Sequence, residues 1–228
     1  KLDVAFVCVP TSFGKDGEID SSIVKSVVNE LTFFECPVVI KSTVTPDIVN
    51  ELSDKNSNIV YNPEFLTEKN HLADFINSPF HILGGDQVVT RKVWGLYEKY
   101  SQCKPAPVIY MTAMEASFVK YGINSFLATK VLWFNQFKDI VENWDGKYNV
   151  VVNAIGSDPR IGHSHTQVPG TDGRKGFGGA CFPKDTSAFS NFANGEFSVL
   201  DEVIKANNIY RKEYELDDRE REQKVDYS

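Results

Sequence analysis

Val4-Ala5-Phe6-Val7-Cys8-Val9-Pro10-Thr11 is an apolar run of strand length, stopped by a proline and followed by a hydroxyl. A strand apolar on both faces suits a parallel sheet covered by helices on each side. Working outward, residues 11–19, with Gly14 and Gly17, read as a loop, and Asp20 or Ser21 can cap a helix through Ile23, Val27, Val28 and Leu31. Pro37 to Thr43 reads as a second buried strand ending in Ser42 and Thr43, and Thr45-Pro46-Asp47 then opens a short helix. Asn58–Tyr61 is a third strand, running into Asn62-Pro63-Glu64-Phe65-Leu66-Thr67-Glu68. His81–Gly84 is a fourth, Thr90–Tyr100 a helix and Val108–Met111 a fifth strand. This alternation predicts an α/β fold with a doubly wound parallel sheet. Ligands of such sheets sit beyond the carboxyl ends of the strands, where Thr11, Ser42, Thr43, Glu64 and Glu68 fall. The phosphate-cradling GxGxxG fingerprint is nowhere in the chain. The first 111 residues therefore read as the later part of a nucleotide-binding sheet, without its first βαβ unit.

From Thr112 the pattern turns helical. Thr112-Ala113-Met114-Glu115 is a capping-box sequence, and a long helix follows through Phe118, Ile123, Phe126, Leu127, Val131, Phe134, Phe137, Ile140 and Val141. Its apolar residues cover well over half the circumference, so it should be buried on several sides, by a second domain or a second copy of the chain. Lys120 and Asn124 stand at i and i+4 on one face, a pair able to steady an oxyanion or move a proton. By spacing alone, a solvated lysine beside a neutral neighbour is the commoner arrangement. Val150 to Ile155 reads as a short helix, and residues 158–175 as a long polar loop of the kind that binds or moves. His163 and His165, without convergent acids or cysteines, are a weak metal signal, and no metal is expected.

Gly176-Phe177-Gly178-Gly179-Ala180-Cys181-Phe182-Pro183-Lys184-Asp185 is the chemically suggestive stretch. The glycines permit positive φ and close approach of a ligand, and Pro183 suits the first turn of a helix. Cys181 then lies at a helix N-terminus, where free N–H groups favour a thiolate, with Asp185 one turn on. This is the layout of a nucleophile with a proton-transfer partner, although buried cysteines more often act as small hydrophobes. Phe197 to Glu213 is one more helix, and residues 215–228 read as a charged, frayed tail.

The bulk numbers narrow the class. A chain of 228 residues with 42% hydrophobic and 24% charged residues has the composition of an ordinary soluble globular protein. The net charge of −7 argues against nucleic acid, and no apolar run reaches membrane-spanning length. Cys8, Cys36, Cys103 and Cys181 are widely spaced, so a reducing cytoplasm is the expected setting. The start at Lys1, almost within a strand, predicts that a segment precedes it.

Taken in order, Val9-Pro10-Thr11, Lys41-Ser42-Thr43-Val44, Asn62-Pro63-Glu64-Phe65-Leu66 with Glu68, Lys120-x-x-x-Asn124-x-Phe126-Leu127-Ala128-x-Lys130, Asp158-x-Arg160-Ile161-Gly162 and the cysteine stretch resemble the UDP-glucose/GDP-mannose dehydrogenase family. Phe182-Pro183-Lys184 is similar to its glucose branch. The resemblance implies a partial Rossmann-like NAD-binding sheet over residues 1–111, a helical central and dimerisation domain over 112–214, and the tail over 215–228. It implies NAD as cofactor, a UDP-sugar as substrate, and a homodimer through the long helix. The implied reaction is a four-electron oxidation of a sugar C6 alcohol to the acid. Cys181 would hold the intermediate aldehyde as a thiohemiacetal and then a thioester, Asp185 and Lys120 would handle protons, and Lys120 and Asn124 would steady oxyanions. Glu68 would position water with Thr43 near the nicotinamide. Val9, Pro10, Thr11, Ser42, Thr43, Glu68 and Lys184 would lie along NAD. Glu64, Phe65, Leu66, Lys120, Asn124, Arg160, Phe177 and Gly178 would meet the sugar nucleotide.

Three departures accompany the resemblance: the missing fingerprint, the lack of a second nucleotide domain after Tyr214, and Ser117 where the family commonly has an acidic residue. Two other readings stand beside it. One is a non-catalytic, shortened homologue that dimerises and binds sugar nucleotide, against which the intact Cys181, Lys120, Asn124, Glu68 and Asp185 count. The other is a two-electron β-hydroxyacid-type dehydrogenase, against which the glycine-rich cysteine stretch counts.

Overall fold

The computed structural model describes residues 2–14 and 17–228, and the backbone alone of Glu68. The chain divides into two compact units, Lys1–Ser12 with Ile19–Gly122, and Phe13–Glu18 with Ile123–Ser228.

In the first unit, β1 (Ala5–Val7), β2 (Val38–Ile40), β3 (Ile59–Tyr61), β4 (His81–Gly85) and β5 (Val108–Met111) form one sheet in that order. Val7, Val38, Ile40, Ile59, Tyr61 and Ile82 pack on one face, and Val39, Val60 and Leu83 on the other. Alternate residues of each short run thus enter separate cores, as a strand apolar on both faces requires. The first core is closed by α1 (Ser22–Leu31), α2 (Pro46–Lys55) and the opening residues Ala113 and Ala116 of α5 (Ala113–Asn143). The second is closed by α4 (Gln87–Tyr100) through Val93, Trp94 and Tyr97. Thr45 precedes α2 with Pro46 at its first position, and Asp86 caps α4 by accepting from the amides of Val88 and Val89.

The sheet is not wholly parallel. β1, β2 and β3 run together, whereas β4 is antiparallel to β3 and β5 follows β4. The link after β3 holds a 3-10 turn (Glu68–Asn70) and the six-residue α3 (His71–Ile76) in place of a full crossover helix. β4 therefore re-enters from the edge at which β3 leaves. The carboxyl ends of β1 to β3 share one edge, and those of β4 and β5 the other. At Gly84 a Cβ would stand 2.6 Å from both the Ala116 Cβ and the Thr112 carbonyl, so β4 meets the start of α5 only without a side chain.

The capping box forms as read, with the Glu115 carboxylate accepting from the Thr112 amide at 2.8 Å and Thr112 Oγ1 accepting from the Glu115 amide at 3.2 Å. In the second unit, α5 continues from Ile123, followed by α6 (Tyr148–Gly156), α7 (Phe182–Ala193), α8 (Ser198–Arg211) and α9 (Asp218–Glu222). Phe134, Tyr148, Val152 and Val168 form one core cluster, and Ala128, Leu132 and Phe177 another, flanked by Phe182, Val203 and Tyr210. The expected burial of α5 is incomplete: Phe126, Trp133, Ile140 and Trp144 remain exposed.

The tail departs most from its reading. Asp217 and Glu220 form a capping box at α9, and Glu220 is wholly buried. A charged stretch reads as solvated, but here a single glutamate enters the interior because Arg211, itself wholly buried, is there to meet it.

Candidate functional site

In the first unit the candidates gather at the shared edge of β1 to β3. The Ser42 hydroxyl accepts from the Val9 amide at 2.9 Å and donates to the Val9 carbonyl at 2.7 Å. It is buried in fastening the turn after β1 to β2, so it shapes the edge rather than presenting itself there. Thr11 is buried, Val9 and Thr43 are half-buried, and Pro10 is exposed. Beyond β3, Asn62 is fixed by Lys41, whose Nζ donates to the Asn62 carbonyl at 2.9 Å and to Oδ1 at 3.1 Å. The Tyr97 hydroxyl donates to the same Oδ1 at 2.8 Å, and Asn62 Nδ2 donates to the Ile82 carbonyl at 2.7 Å. Burial pushes the Lys41 ammonium below the ordinary lysine range, with the Glu64 carboxylate opposing the shift.

Lys120 is buried, donates to the Glu64 carbonyl at 2.6 Å, and lies 5.4 Å from the centre of the Phe65 ring. Two ammonium groups thus hold two carbonyls of the 62–66 loop. Glu64 is exposed and Phe65 and Leu66 are half-buried. The Glu68 side chain lies outside the described residues. Ser117 is wholly buried one turn before Lys120 and donates to the Val44 carbonyl at 2.7 Å. An acidic side chain there would face a carbonyl instead of donating to it.

In the second unit, Cys181 precedes α7 as its N-cap residue, with an exposed thiol and Pro183 as the second helical residue. The Asp185 amide closes the first turn onto the Cys181 carbonyl at 2.8 Å. Asp185 is buried between two partners: Lys184 Nζ donates to Oδ1 and Asn124 Nδ2 to Oδ2, each at 2.6 Å. An exposed thiol at a helix start, beside a buried and doubly bonded carboxylate, can hold a covalent adduct next to a fixed negative charge. Lys184 is buried and engaged with Asp185. Phe177 is buried, its amide donating to Asn207 Oδ1 at 2.7 Å and its carbonyl accepting from Asn207 Nδ2 at 3.0 Å. Gly178 lies against the Arg211 guanidinium, where a Cβ would come within 2.2 Å of Nη2. Arg160 points to solvent and pairs with its neighbour Asp158 at 2.6 Å.

Asn135, Asn207, Arg211 and Glu220 escaped the sequence reading, and Lys41 entered it only as part of a motif, without a role of its own. Asn207 and Arg211 had a legible signal, two polar residues one turn apart on the inward side of an amphipathic helix. Lys41 had a weaker one, a lysine within an apolar strand run.

Comparison with known proteins agrees with this layout. The NAD binding domain of the UDP-glucose/GDP-mannose dehydrogenase family matches residues 1–101, and the central domain of that family matches residues 114–209. A UDP-glucose 6-dehydrogenase of Bacillus subtilis is 32% identical over 225 residues, covering 92% of this chain and 47% of that protein. A UDP-glucose 6-dehydrogenase of Rickettsia bellii is 30% identical over 217 residues, covering 90% of this chain and 49% of that protein. The structure of a UDP-glucose dehydrogenase from the archaeon Pyrobaculum islandicum superposes with a TM-score of 0.77 at 29% identity, covering 91% of this chain and 50% of that one. The chain spans about half the length of the curated relatives it matches. The match to the family's NAD-binding domain implies NAD as cofactor. With both domain matches in the family's order, the chain belongs to the UDP-glucose/GDP-mannose dehydrogenase family.

Proposed function

We propose that the chain carries the thiol chemistry of an NAD-dependent nucleotide-sugar dehydrogenase acting on UDP-glucose, oxidising the sugar C6 alcohol to the acid. The observation that carries this reading is the exposed Cys181 thiol at the start of α7, with Asp185 buried one turn on between Lys184 and Asn124. Reaching the acid requires the aldehyde to be held while a second hydride leaves, and a thiol does this by adding to the carbonyl carbon. The thiohemiacetal loses hydride to become a thioester, and water then cleaves the C–S bond, releasing the acid and restoring the thiol.

NAD, when bound, accepts one hydride at each oxidation. The residues present fit the part of a dinucleotide that a strand edge receives: Val9 is tied in place by Ser42 through its amide and its carbonyl, and Thr43, next to Ser42 in the chain, is half-buried. No GxGxxG sequence is among the 228 residues to cradle the pyrophosphate. In this reading Lys120 moves a proton through an N–H other than the one held by the Glu64 carbonyl, and Asp185 keeps Asn124 oriented. Glu68 is the proposed water-positioning carboxylate. Glu64 to Leu66, Arg160 and the 177–178 turn are proposed to meet the sugar nucleotide.

Phe126, Trp133 and Ile140 follow one another at seven-residue steps on α5, with Trp144 one turn on, all exposed. That apolar stripe supports a homodimer through the long helix, and a sample sedimenting as monomer at micromolar concentration would count against it. The test of the function is NAD⁺ reduction with UDP-glucose. Two NADH per sugar in the chain and none in Cys181→Ser supports the reading, whereas one NADH per sugar, unaffected by that substitution, sinks it.

A further inference from the structure

The glycine-rich stretch before Cys181 does not hold its own shape. Between Gly176 and Gly179, three amides point into side chains from elsewhere in the second unit. The Gly176 amide donates to Asn135 Oδ1 at 3.0 Å, that of Phe177 to Asn207 Oδ1 at 2.7 Å, and that of Gly179 to Glu220 Oε1 at 3.2 Å. Gly176 and Gly179 both have positive φ, so the loop's shape depends on these outside partners.

Glu220 is the partner whose own position is most heavily built. Its Oε1 also accepts from Arg211 Nη2 and, at 2.7 Å, from the Tyr227 hydroxyl. Its Oε2 accepts from the Asp217 amide at 2.9 Å and faces Arg174 Nη1 at 3.4 Å. Arg211 is held on its other side by Asp172, Nη1 to Oδ2 at 2.7 Å. At Gly178 a Cβ would stand 2.2 Å from Arg211 Nη2 and 2.5 Å from Glu220 Oε1, so the loop lies flat on this ion pair. A carboxylate with no exposed surface, met by two guanidinium groups, a phenol and two amides, is an expensive arrangement, and the same segment buries Val225 and Tyr227 beside it.

We propose that Glu220, delivered by the segment Asp217–Tyr227, is a positioning residue for the Cys181 thiol. It pins the Gly179 amide and so fixes the turn that places Cys181 at the start of α7. The proposal rests on the reading of Cys181 as the reacting thiol, but not on turnover. Tyr227 acts on the thiol through Glu220, and Arg211 both through Glu220 and through its packing against Gly178.

The experiment is the pH profile of Cys181 alkylation by iodoacetamide on the full chain. It is read by peptide mass spectrometry, with the exposed Cys8 of the first unit as internal reference and amide hydrogen exchange of the 176–181 peptide as companion. Glu220→Ala should move the profile to higher pH, lower the Cys181-to-Cys8 rate ratio at neutral pH by about tenfold, and speed exchange of that peptide. Glu220→Gln keeps one acceptor oxygen, which can still take the Gly179 amide, and leaves Arg211 paired with Asp172. It turns the other position into a donor facing the Asp217 amide and Arg174, so its shift should be smaller than that of the alanine, within about threefold of the unsubstituted chain. If Glu220→Ala does not fold, Tyr227→Phe decides, because it removes one donor and no volume from the core. A smaller shift in the same direction sustains the proposal, and an unchanged profile with faster exchange overturns it. A folded Glu220→Ala whose profile superimposes on that of the unsubstituted chain overturns it as well. Because alkylation needs neither NAD nor sugar, the profile is read whether or not a chain without the pyrophosphate cradle reduces NAD⁺, so failure of this proposal and failure of turnover are separate results.

Discussion

Two loops carry most of the candidate chemistry, and they are held by opposite charges. The 62–66 loop of the first unit is held by its carbonyls, with Lys41 on Asn62 and Lys120 on Glu64. The 176–179 loop of the second is held by its amides, through Asn135, Asn207 and the carboxylate of Glu220. In the first loop an anchor is also a candidate for the chemistry, since Lys120 does both. In the second the anchors stand apart from Cys181 and Asp185. An ammonium has three N–H groups, so Lys120 can move a proton while one N–H stays on the Glu64 carbonyl. Its place is still tied to the loop it secures, whereas the thiol is placed by residues that take no part in the proposed chemistry. The second loop is therefore the better place to look for the committed chemical step.

The sharpest way to break this comparison is at the thiol itself. Cys181→Ser should lower the proposed NAD⁺ reduction by on the order of 10⁴-fold or more and abolish any trapped thioester, with little change in thermal stability because the side chain is exposed. Retained turnover would move the chemistry to the first loop and to Lys120.

The next effect is on stability and separates the two kinds of anchor. Arg211→Ala leaves a wholly buried Glu220 without its main cation and should cost about 3–5 kcal/mol, read by urea unfolding followed at Trp133 and Trp144 in the second unit. Lys41→Met removes donors from Asn62 but leaves no buried carboxylate unpaired, and should cost about 1–3 kcal/mol, read at Trp94 in the first unit. Equal losses would mean that the charge pairing in the second loop adds nothing beyond hydrogen bonding. The same contrast has a pH signature. Burial works against ionisation of Glu220, but the Asp217 and Gly179 amides, the Tyr227 hydroxyl and Arg211 outweigh it and hold the carboxyl below its ordinary 4.5. A depressed carboxylate stabilises the fold fully above its unfolded pKa and loses that contribution as pH falls through the lower folded value. The second unit should therefore weaken below about pH 4.5, and Glu220→Gln should flatten that acid limb.

How much of this was legible in the sequence follows from the range of the interactions. The strands, the capping box and the thiol at a helix start are local, and each is encoded within a few residues. The reversal of β4 was hidden, because an apolar strand reads the same in either direction and only the short α3 marks the return. The pairing of Lys184 with its neighbour Asp185 was hidden as well, because adjacent charges in a sequence do not show that both will be buried. Nor did residues 215–228 disclose their role, since Glu220 is one acid among many until Arg211, nine residues earlier, is seen to be buried with it. A charged stretch is solvated by default, and only a tertiary partner overrides that.

The smallest effect tests a single-residue departure of the first unit from the family pattern. Ser117 is wholly buried, and its hydroxyl donates to the Val44 carbonyl, just past the edge where Ser42 and Thr43 lie. Ser117→Ala removes the donor and leaves that carbonyl without it, a loss of about 1 kcal/mol in the unfolding of the first unit. Ser117→Asp restores the acidic residue common in the family, yet here it would set a buried carboxylate against a carbonyl and should cost more than the alanine. If the aspartate proves as stable as serine, the Val44 contact is incidental, and the first loop has room for a carboxylate one turn from Lys120. Lys120 could then be drawn off the Glu64 carbonyl, and the contrast between a loop whose anchor is also a candidate for the chemistry and one whose anchors stand apart from it would lose its force.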